Sequence, residues 1–361
     1  MFEKIPKEMK AAVLTGPGNV RIDTVPVPTV EPFEVLCRVR SVAICGTDPK
    51  LISGKLREYT IPCPIPPKYP FIAGHEWSGE VVKLGPGVDE FKIGDRVAAE
   101  PHKGCGVCRM CLTGRYTICE NYGKIEKGHR HYGFTVNGAY AEYMAISIKS
   151  IHKIPNSMSF DEGAMVDTAG VCLYGLKRGR VSPGDRVAII GPGPFGLTAL
   201  QLARTLGAGE TIVLGRTGPR LAMAEKLGAD IVIDVLKEDP VKKVREITHG
   251  GVDVAVECVG TADSIRVAFG IVRRGGRVSL IGSSAGLEVA IDFSRFPLED
   301  IEMIGVRADP NTCEEVIPLI AHGQVKVKPL ITHKFPLTQF NDAFETFTKR
   351  LGGAIKVVIN P

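Results

Sequence analysis

The chain has 361 residues, 44% hydrophobic and 24% charged, the proportions of an ordinary globular protein. Its 45 basic and 40 acidic residues leave a formal charge of +5 scattered along the chain, too weak a field to indicate nucleic-acid binding. No run of about 18 apolar residues is present to span a membrane, and the charged stretch Met1 to Lys10 lacks the apolar core of a signal peptide.

At about twice the length of a typical domain, the chain predicts two domains. Residues 9 to about 155 are dense in Gly and Pro and carry short β-rich segments: Lys10 to Leu14, Val35 to Val42, Gly79 to Leu84 and Arg96 to Ala99. Turn signals separate them at short intervals, which predicts an all-β module. The rhythm changes near Asp161. Strand candidates Arg186 to Ile190, Thr211 to Leu214, Asp230 to Val235, Val252 to Val256 and Arg277 to Ile281 then alternate with helical stretches such as Leu197 to Leu206 and Arg220 to Leu227. Gly207 and Gly228 fall where helix C-caps belong. This repeat predicts a doubly wound parallel sheet, an α/β architecture. The last stretch regains short strands, ending in Ala354 to Ile359, and is expected to return to the first domain. The expected division is 1–168 for the β domain, 169–306 for the parallel-sheet domain and 307–361 for the return, with a cleft between the two.

Four of the ten cysteines, Cys105, Cys108, Cys111 and Cys119, lie within fifteen residues, the first three spaced C-x2-C-x2-C. Four soft thiolates fill a tetrahedral zinc and leave no position for chemistry, so a structural role is expected. An iron–sulfur cluster is the rival reading, because similar spacing opens a ferredoxin-type run. Disulfides suit much shorter secreted chains. A reducing cytoplasm fits, with Cys37, Cys63, Cys258 and Cys313 read as buried thiols.

A second pattern is split between Cys45-Gly46-Thr47-Asp48 and Gly74-His75-Glu76. Cys45 and His75 read as candidate ligands for an open, catalytic zinc. Asp48 is a candidate for orienting the imidazole, Thr47 for passing a proton away from a bound hydroxyl, and Glu76 adds an acidic group beside the metal.

Gly191-Pro192-Gly193-Pro194-Phe195-Gly196 follows the apolar strand Arg186 to Ile190 and precedes a helix, the setting of a dinucleotide-binding turn. Gly191 permits the turn, Gly193 lets the backbone approach a pyrophosphate, and Gly196 allows close packing of helix on strand. NAD sites place an acidic residue about 20 positions on. Here Gly215-Arg216-Thr217 follows the second strand, with an arginine and no carboxylate. Arg216 can pair with a ribose 2′-phosphate, which favours NADP, with NAD possible.

In this order, Cys-Gly-Thr-Asp, Gly-His-Glu, Gly-Cys-Gly-x-Cys-x-x-Cys and the glycine turn resemble the zinc-dependent medium-chain alcohol dehydrogenases over essentially the whole chain. Val327 to His333 and the tail after it look most like the sorbitol (polyol) dehydrogenase branch. The resemblance implies a GroES-like β domain carrying the zincs, a Rossmann domain, and a homo-oligomer, dimer or tetramer. It also implies a third catalytic ligand before the glycine turn: Asp167, 24 residues before Gly191 (191 − 167), with Cys172 as the alternative. Where the family often has a relay histidine, this chain has Lys50. Arg307 stands one position off the arginine that polyol enzymes use, Phe195 replaces a smaller residue behind the nicotinamide, and the proline-rich stretch Ser53 to Tyr69 is longer than usual.

The expected function is a cytoplasmic, zinc-dependent oxidoreductase transferring hydride between NADP(H) and a small polyol or secondary alcohol or ketone. Alternatives are an NAD-linked dehydrogenase of an amino-alcohol or diol such as threonine or butanediol, and a non-catalytic NADPH-binding protein. A zinc-free quinone or enone reductase on the same fold would lack the ligands present here.

Overall fold

In the computed structural model, all residues are described except 1–4, 60–62, 217 and 283–285. The chain divides into two compact units. The first comprises Met1–Asp167, Cys313–Ala321 and Val327–Pro361; the second comprises Thr168–Thr312 and His322–Lys326.

The first unit is built on β strands: β1 (Glu8–Gly16), β2 (Asn19–Pro26), β3 (Glu34–Ala43), β4 (Glu76–Leu84), β5 (Arg96–Ala99), β6 (Tyr143–Ser147) and β7 (Ile151–Lys153). The β1–β2 hairpin forms one small sheet with Phe71–Ile72. The hairpin's second strand was not anticipated from sequence, because β2 buries no residue fully and so lacks a strong apolar signal. The larger sheet runs β7-β5-β4-β3 and continues through the C-terminal strands Lys356–Asn360 and Ile331–Pro336, with β6 also paired to β3. The return of the C-terminal segment to the first unit is thus made by strand pairing. A core that includes Leu14, Leu36, Trp77, Tyr140, Ile146 and Phe340 fills the unit.

The pairing register positions the chemistry. β3 and β4 are antiparallel with Ala43 opposite Glu76, so Cys45, just past the end of β3, meets His75, just before β4. On the other side of β3, Val358 pairs with Ala43, and Ile44 donates its N–H to the carbonyl of Val357 at 2.9 Å. Lys356 therefore arrives at the same sheet end. Gly74 takes φ +93° to turn the chain into this corner, and a Cβ there would lie 2.9 Å from the Tyr140 ring.

The second unit is a six-stranded sheet of β8 (Arg186–Ile190), β9 (Glu210–Gly215), β10 (Ile231–Asp234), β11 (Val252–Glu257), β12 (Val272–Leu280) and β13 (Glu302–Gly305). Its order is β10-β9-β8-β11-β12-β13 and the pairings are parallel. This is the doubly wound dinucleotide-binding order, with the sheet order reversing beside β8. The helix after β8 is Pro194–Thr205 and the one after β9 is Pro219–Lys226. Gly207 and Gly228, just past their ends, have φ of +91° and +90°.

Candidate active site

Three buried groups meet at the end of β3: Cys45 Sγ, an imidazole nitrogen of His75 and a carboxylate oxygen of Glu76, all within 4.8 Å of one another. Their donor types, thiol, imidazole and carboxylate, are those of a zinc site with one position left open. Within this cluster His75 Nδ1 and Glu76 Oε1 are buried without a hydrogen-bond partner. Unsatisfied buried polar atoms are costly, and a bound cation would satisfy both.

The groups around the cluster are set by the same local chain path. Asp48 Oδ2 accepts from the Cys45 N–H at 2.8 Å and from the Tyr140 hydroxyl at 2.6 Å, which fixes the Cys-Gly-Thr-Asp turn. Asp48 Oδ1 faces His75 Nδ1 at 3.7 Å, beyond hydrogen-bond reach. Burial pushes the Asp48 carboxyl up, against the pull of His75 and Tyr140. The Cys45 thiol is pushed well up by burial and then by Glu76, while Lys356 and the Thr47 hydroxyl draw it down. The Thr47 Oγ1 is buried and has no hydrogen-bond partner of good geometry.

Lys356, 2% exposed, forms an ion pair with Glu76 Oε2. Burial disfavours its charge, but Glu76, Cys45 and Asp167 outweigh this and hold the ammonium above its usual range. Asp167 is buried and acts on Lys356, yet it does not stand among the three grouped donors. Sequence reasoning missed Lys356 and Tyr140. The signal for Lys356 was a lone charge inside the apolar run Ala354 to Ile359.

The four cysteines form a second cluster, with their sulfurs within 4.8 Å of one another. Cys105 and Cys111 sulfurs are 3.9 Å apart, and those of Cys108 and Cys119 3.8 Å. The N–H groups of Cys111 and Asn121 point at Cys108 and Cys119 sulfurs at 3.5 and 3.3 Å, and the Asn121 amide donates to Cys105 Sγ at 3.3 Å. Against the desolvation that raises it, this amide and backbone N–H groups bring the Cys105 thiol down to about 6. Cys108 is likewise drawn down against its desolvation, by backbone N–H groups, whereas burial pushes the Cys111 thiol up to about 12 and raises that of Cys119. The four sulfurs surround a point where a metal fits.

In the second unit, Gly191 closes β8 with φ +95°, Gly193 caps the helix that follows, and Gly196 packs so closely that a Cβ would lie 2.0 Å from the Gly191 carbonyl oxygen. A Cβ on Gly215 would meet the Pro192 ring at 2.5 Å, so the end of β9 packs on the turn. Phe195 lies in the first turn of the helix, its carbonyl accepting from the Cys172 thiol at 3.1 Å. Arg216 is exposed directly after β9. Thr217 lies outside the described residues. Arg307 is exposed and Lys50 half-buried.

Comparison with known proteins agrees with this geometry. Residues 31–156 match the alcohol dehydrogenase GroES-like domain and residues 194–322 the zinc-binding dehydrogenase domain. The chain is 34% identical to sorbitol dehydrogenase of Bacillus subtilis strain 168, covering 100% of this chain and 99% of that protein. It is also 34% identical to D-arabitol-phosphate dehydrogenase of Enterococcus avium, covering 98% and 97%. A zinc-binding dehydrogenase from Sinorhizobium meliloti 1021 bound to NADP superposes with a TM-score of 0.89 at 29% identity, covering 99% of this chain and 100% of that one. The chain belongs to the zinc-binding alcohol dehydrogenase family. It is an oxidoreductase that works with zinc and a nicotinamide dinucleotide. Among the described residues, no helix is long and apolar enough to cross a membrane.

Proposed function

We propose that this protein oxidises a secondary hydroxyl of a small polyol, or reduces the corresponding ketone, with NADP(H) as hydride carrier. The observation that carries this reading is the buried Cys45–His75–Glu76 cluster with its two orphaned donor atoms. The polyol class draws support from the sorbitol and arabitol-phosphate dehydrogenases that match along the whole chain. These relatives do not favour the amino-alcohol or diol alternative. NADP draws support from Arg216 in place of an acidic residue and from the NADP-bound structural relative.

In this reading Cys45, His75 and Glu76 hold zinc, with Asp167 the rival third ligand. Bound there, zinc lowers the pKa of the substrate hydroxyl as a Lewis acid. Asp48 holds the Cys45 backbone, Lys356 pairs with Glu76, and the Thr47 hydroxyl would relay the proton that leaves the substrate oxygen, giving up its own as it accepts one. Gly191, Gly193 and Gly196 let the pyrophosphate reach the helix N-terminus, and Gly215 with Arg216 receives the ribose phosphate. Cys105, Cys108, Cys111 and Cys119 hold a structural zinc. Assembly as a dimer or tetramer, and a cytoplasmic location, belong to the same reading.

The test is NADP and NAD reduction across sugar alcohols, their phosphates, diols and amino-alcohols, with zinc content measured in parallel. Turnover of polyols with NADP supports the proposal; turnover confined to amino-alcohols or diols with NAD overturns the substrate class. Zinc content of Glu76→Gln against Asp167→Asn decides the third ligand.

A further inference from the structure

A third group of side chains of metal-ligand type lies in the first unit, distinct from both cysteine patterns. Glu100, His152 and Cys313 each place a ligand atom within 4.8 Å of the others. Three separate elements bring them together. Glu100 directly follows β5, and its N–H donates to the Ser150 carbonyl at 2.9 Å. His152 is the middle residue of β7, the edge strand, paired opposite Ala98 of β5. Cys313 opens the helix Cys313–Ala321. Neither the alcohol-oxidising site nor the cysteine quartet uses any of the three.

We propose that Glu100, His152 and Cys313 bind a further zinc ion, which ties the first turn of the Cys313–Ala321 helix to the sheet edge. The donor set argues for zinc: a thiolate, an imidazole and a carboxylate are its three protein ligand types, and three of them leave a position for water. The surroundings of the ligands are those of a built site. His152 Nε2 lies 2.9 Å from Glu100 Oε2, and its other nitrogen, Nδ1, lies 3.2 Å from Glu314 Oε1. With Nε2 on the metal, Nδ1–H donates to Glu314, the arrangement by which a carboxylate orients a zinc-bound histidine. The second oxygen of Glu100 accepts from the Tyr116 hydroxyl, so the carboxylate is held on both sides. Tyr116 stands three residues before Cys119, which links this cluster to the quartet loop. Glu100 and Cys313 are buried at 1% and 0% exposure, so the donors are already withdrawn from water. Tetrahedral zinc holds such donors roughly 3.3–3.7 Å apart, so the Glu100–His152 pair opens by a few tenths of an ångström on binding.

The test is zinc counting on the full-length protein, purified with zinc and freed of loosely held metal, followed by calorimetric titration with zinc. The expected result is three zincs per wild-type chain, counting the quartet and the Cys45 cluster. His152→Gln and Cys313→Ser should each hold two, and neither should take up a third at micromolar zinc. Glu314→Gln should keep the third site and weaken it by about tenfold. A Cys45→Ser chain loses a different zinc, so failure of the catalytic reading and failure of this one are told apart. Two zincs in the wild type, no further uptake on titration and no change in His152→Gln would overturn the proposal and leave a histidine bracketed by two carboxylates. Should Cys313→Ser not fold, His152→Gln, at a partly exposed position, decides the question alone.

Discussion

The cysteine quartet and the Cys45 cluster use similar atoms but are assembled in opposite ways. The quartet comes from one stretch of fifteen residues, Cys105 to Cys119, whose turns and N–H groups close around the sulfurs. The Cys45 cluster is assembled by strand register: the end of β3, the start of β4 and the start of the C-terminal strand deliver Cys45, His75 with Glu76, and Lys356. A local site stabilises its own loop. A register-built site exists only when the whole sheet is formed, and it can leave a position open for chemistry.

The sharpest break between them is catalytic. Cys45→Ser should lower kcat/KM by about a thousandfold, about 4 kcal/mol of transition-state stabilisation, with little change in melting temperature. Cys108→Ser should instead lose one zinc and melt at lower temperature, while the molecules still folded turn over at the wild-type kcat. Steady-state kinetics beside thermal denaturation checks both. If the two variants behaved alike, the division into catalytic and structural sites would be wrong.

Lys356 gives the next largest effect. Replacing it by Met strands Glu76 as a buried charge, which should cost about 3–5 kcal/mol in chelator-treated protein, read by denaturant unfolding. Glu76→Gln added to Lys356→Met should recover most of that loss. Zinc-loaded Lys356→Met should suffer less, because a cation on Glu76 takes over the compensation. An equal loss with and without zinc would place Glu76 outside the metal's reach.

Arg216 tests the local kind of site in the second unit. Arg216→Asp should swing the ratio of kcat/KM values toward NAD by about 100-fold, about 2.8 kcal/mol, through loss of pairing and gain of repulsion toward the 2′-phosphate. An unchanged ratio would mean that the phosphate is recognised elsewhere.

What the sequence made legible follows the same division. The quartet and the glycine turn with its strand and helix depend on neighbours close along the chain, so spacing alone exposed them. Cys45 and His75 were recognisable by their flanking residues. Lys356 was not, because its place beside Glu76 depends on the pairing of Val358 with Ala43, a contact between residues 315 positions apart (358 − 43). The Glu100–His152–Cys313 group was invisible for the same reason, and Cys313 was read as an inert buried thiol. β2 escaped notice because its side chains are only half withdrawn from water.

Two ion pairs fasten the C-terminal strands, and their contrast sets the smallest effect. Lys356–Glu76 is buried on both sides, whereas Lys334, on Ile331–Pro336, reaches Asp161 with its own side chain 59% exposed. An exposed pair contributes about 1 kcal/mol or less. Burial raises the Asp161 carboxyl, but Lys334, the Asn360 amide at 3.0 Å and Ser41 outweigh it and hold it below its usual 3.8. A folded-state pKa below the unfolded one adds stability above that usual value and loses it as pH falls through the lowered one. Asp161→Asn should therefore cost little at neutral pH and flatten the acid limb of the stability curve below about pH 4. Denaturant midpoints from pH 7 down to pH 3 measure this. An acid limb as steep in Asp161→Asn as in the wild type would show that other carboxylates carry the acid sensitivity, and that the Lys334 contact fastens the strand without titrating with it.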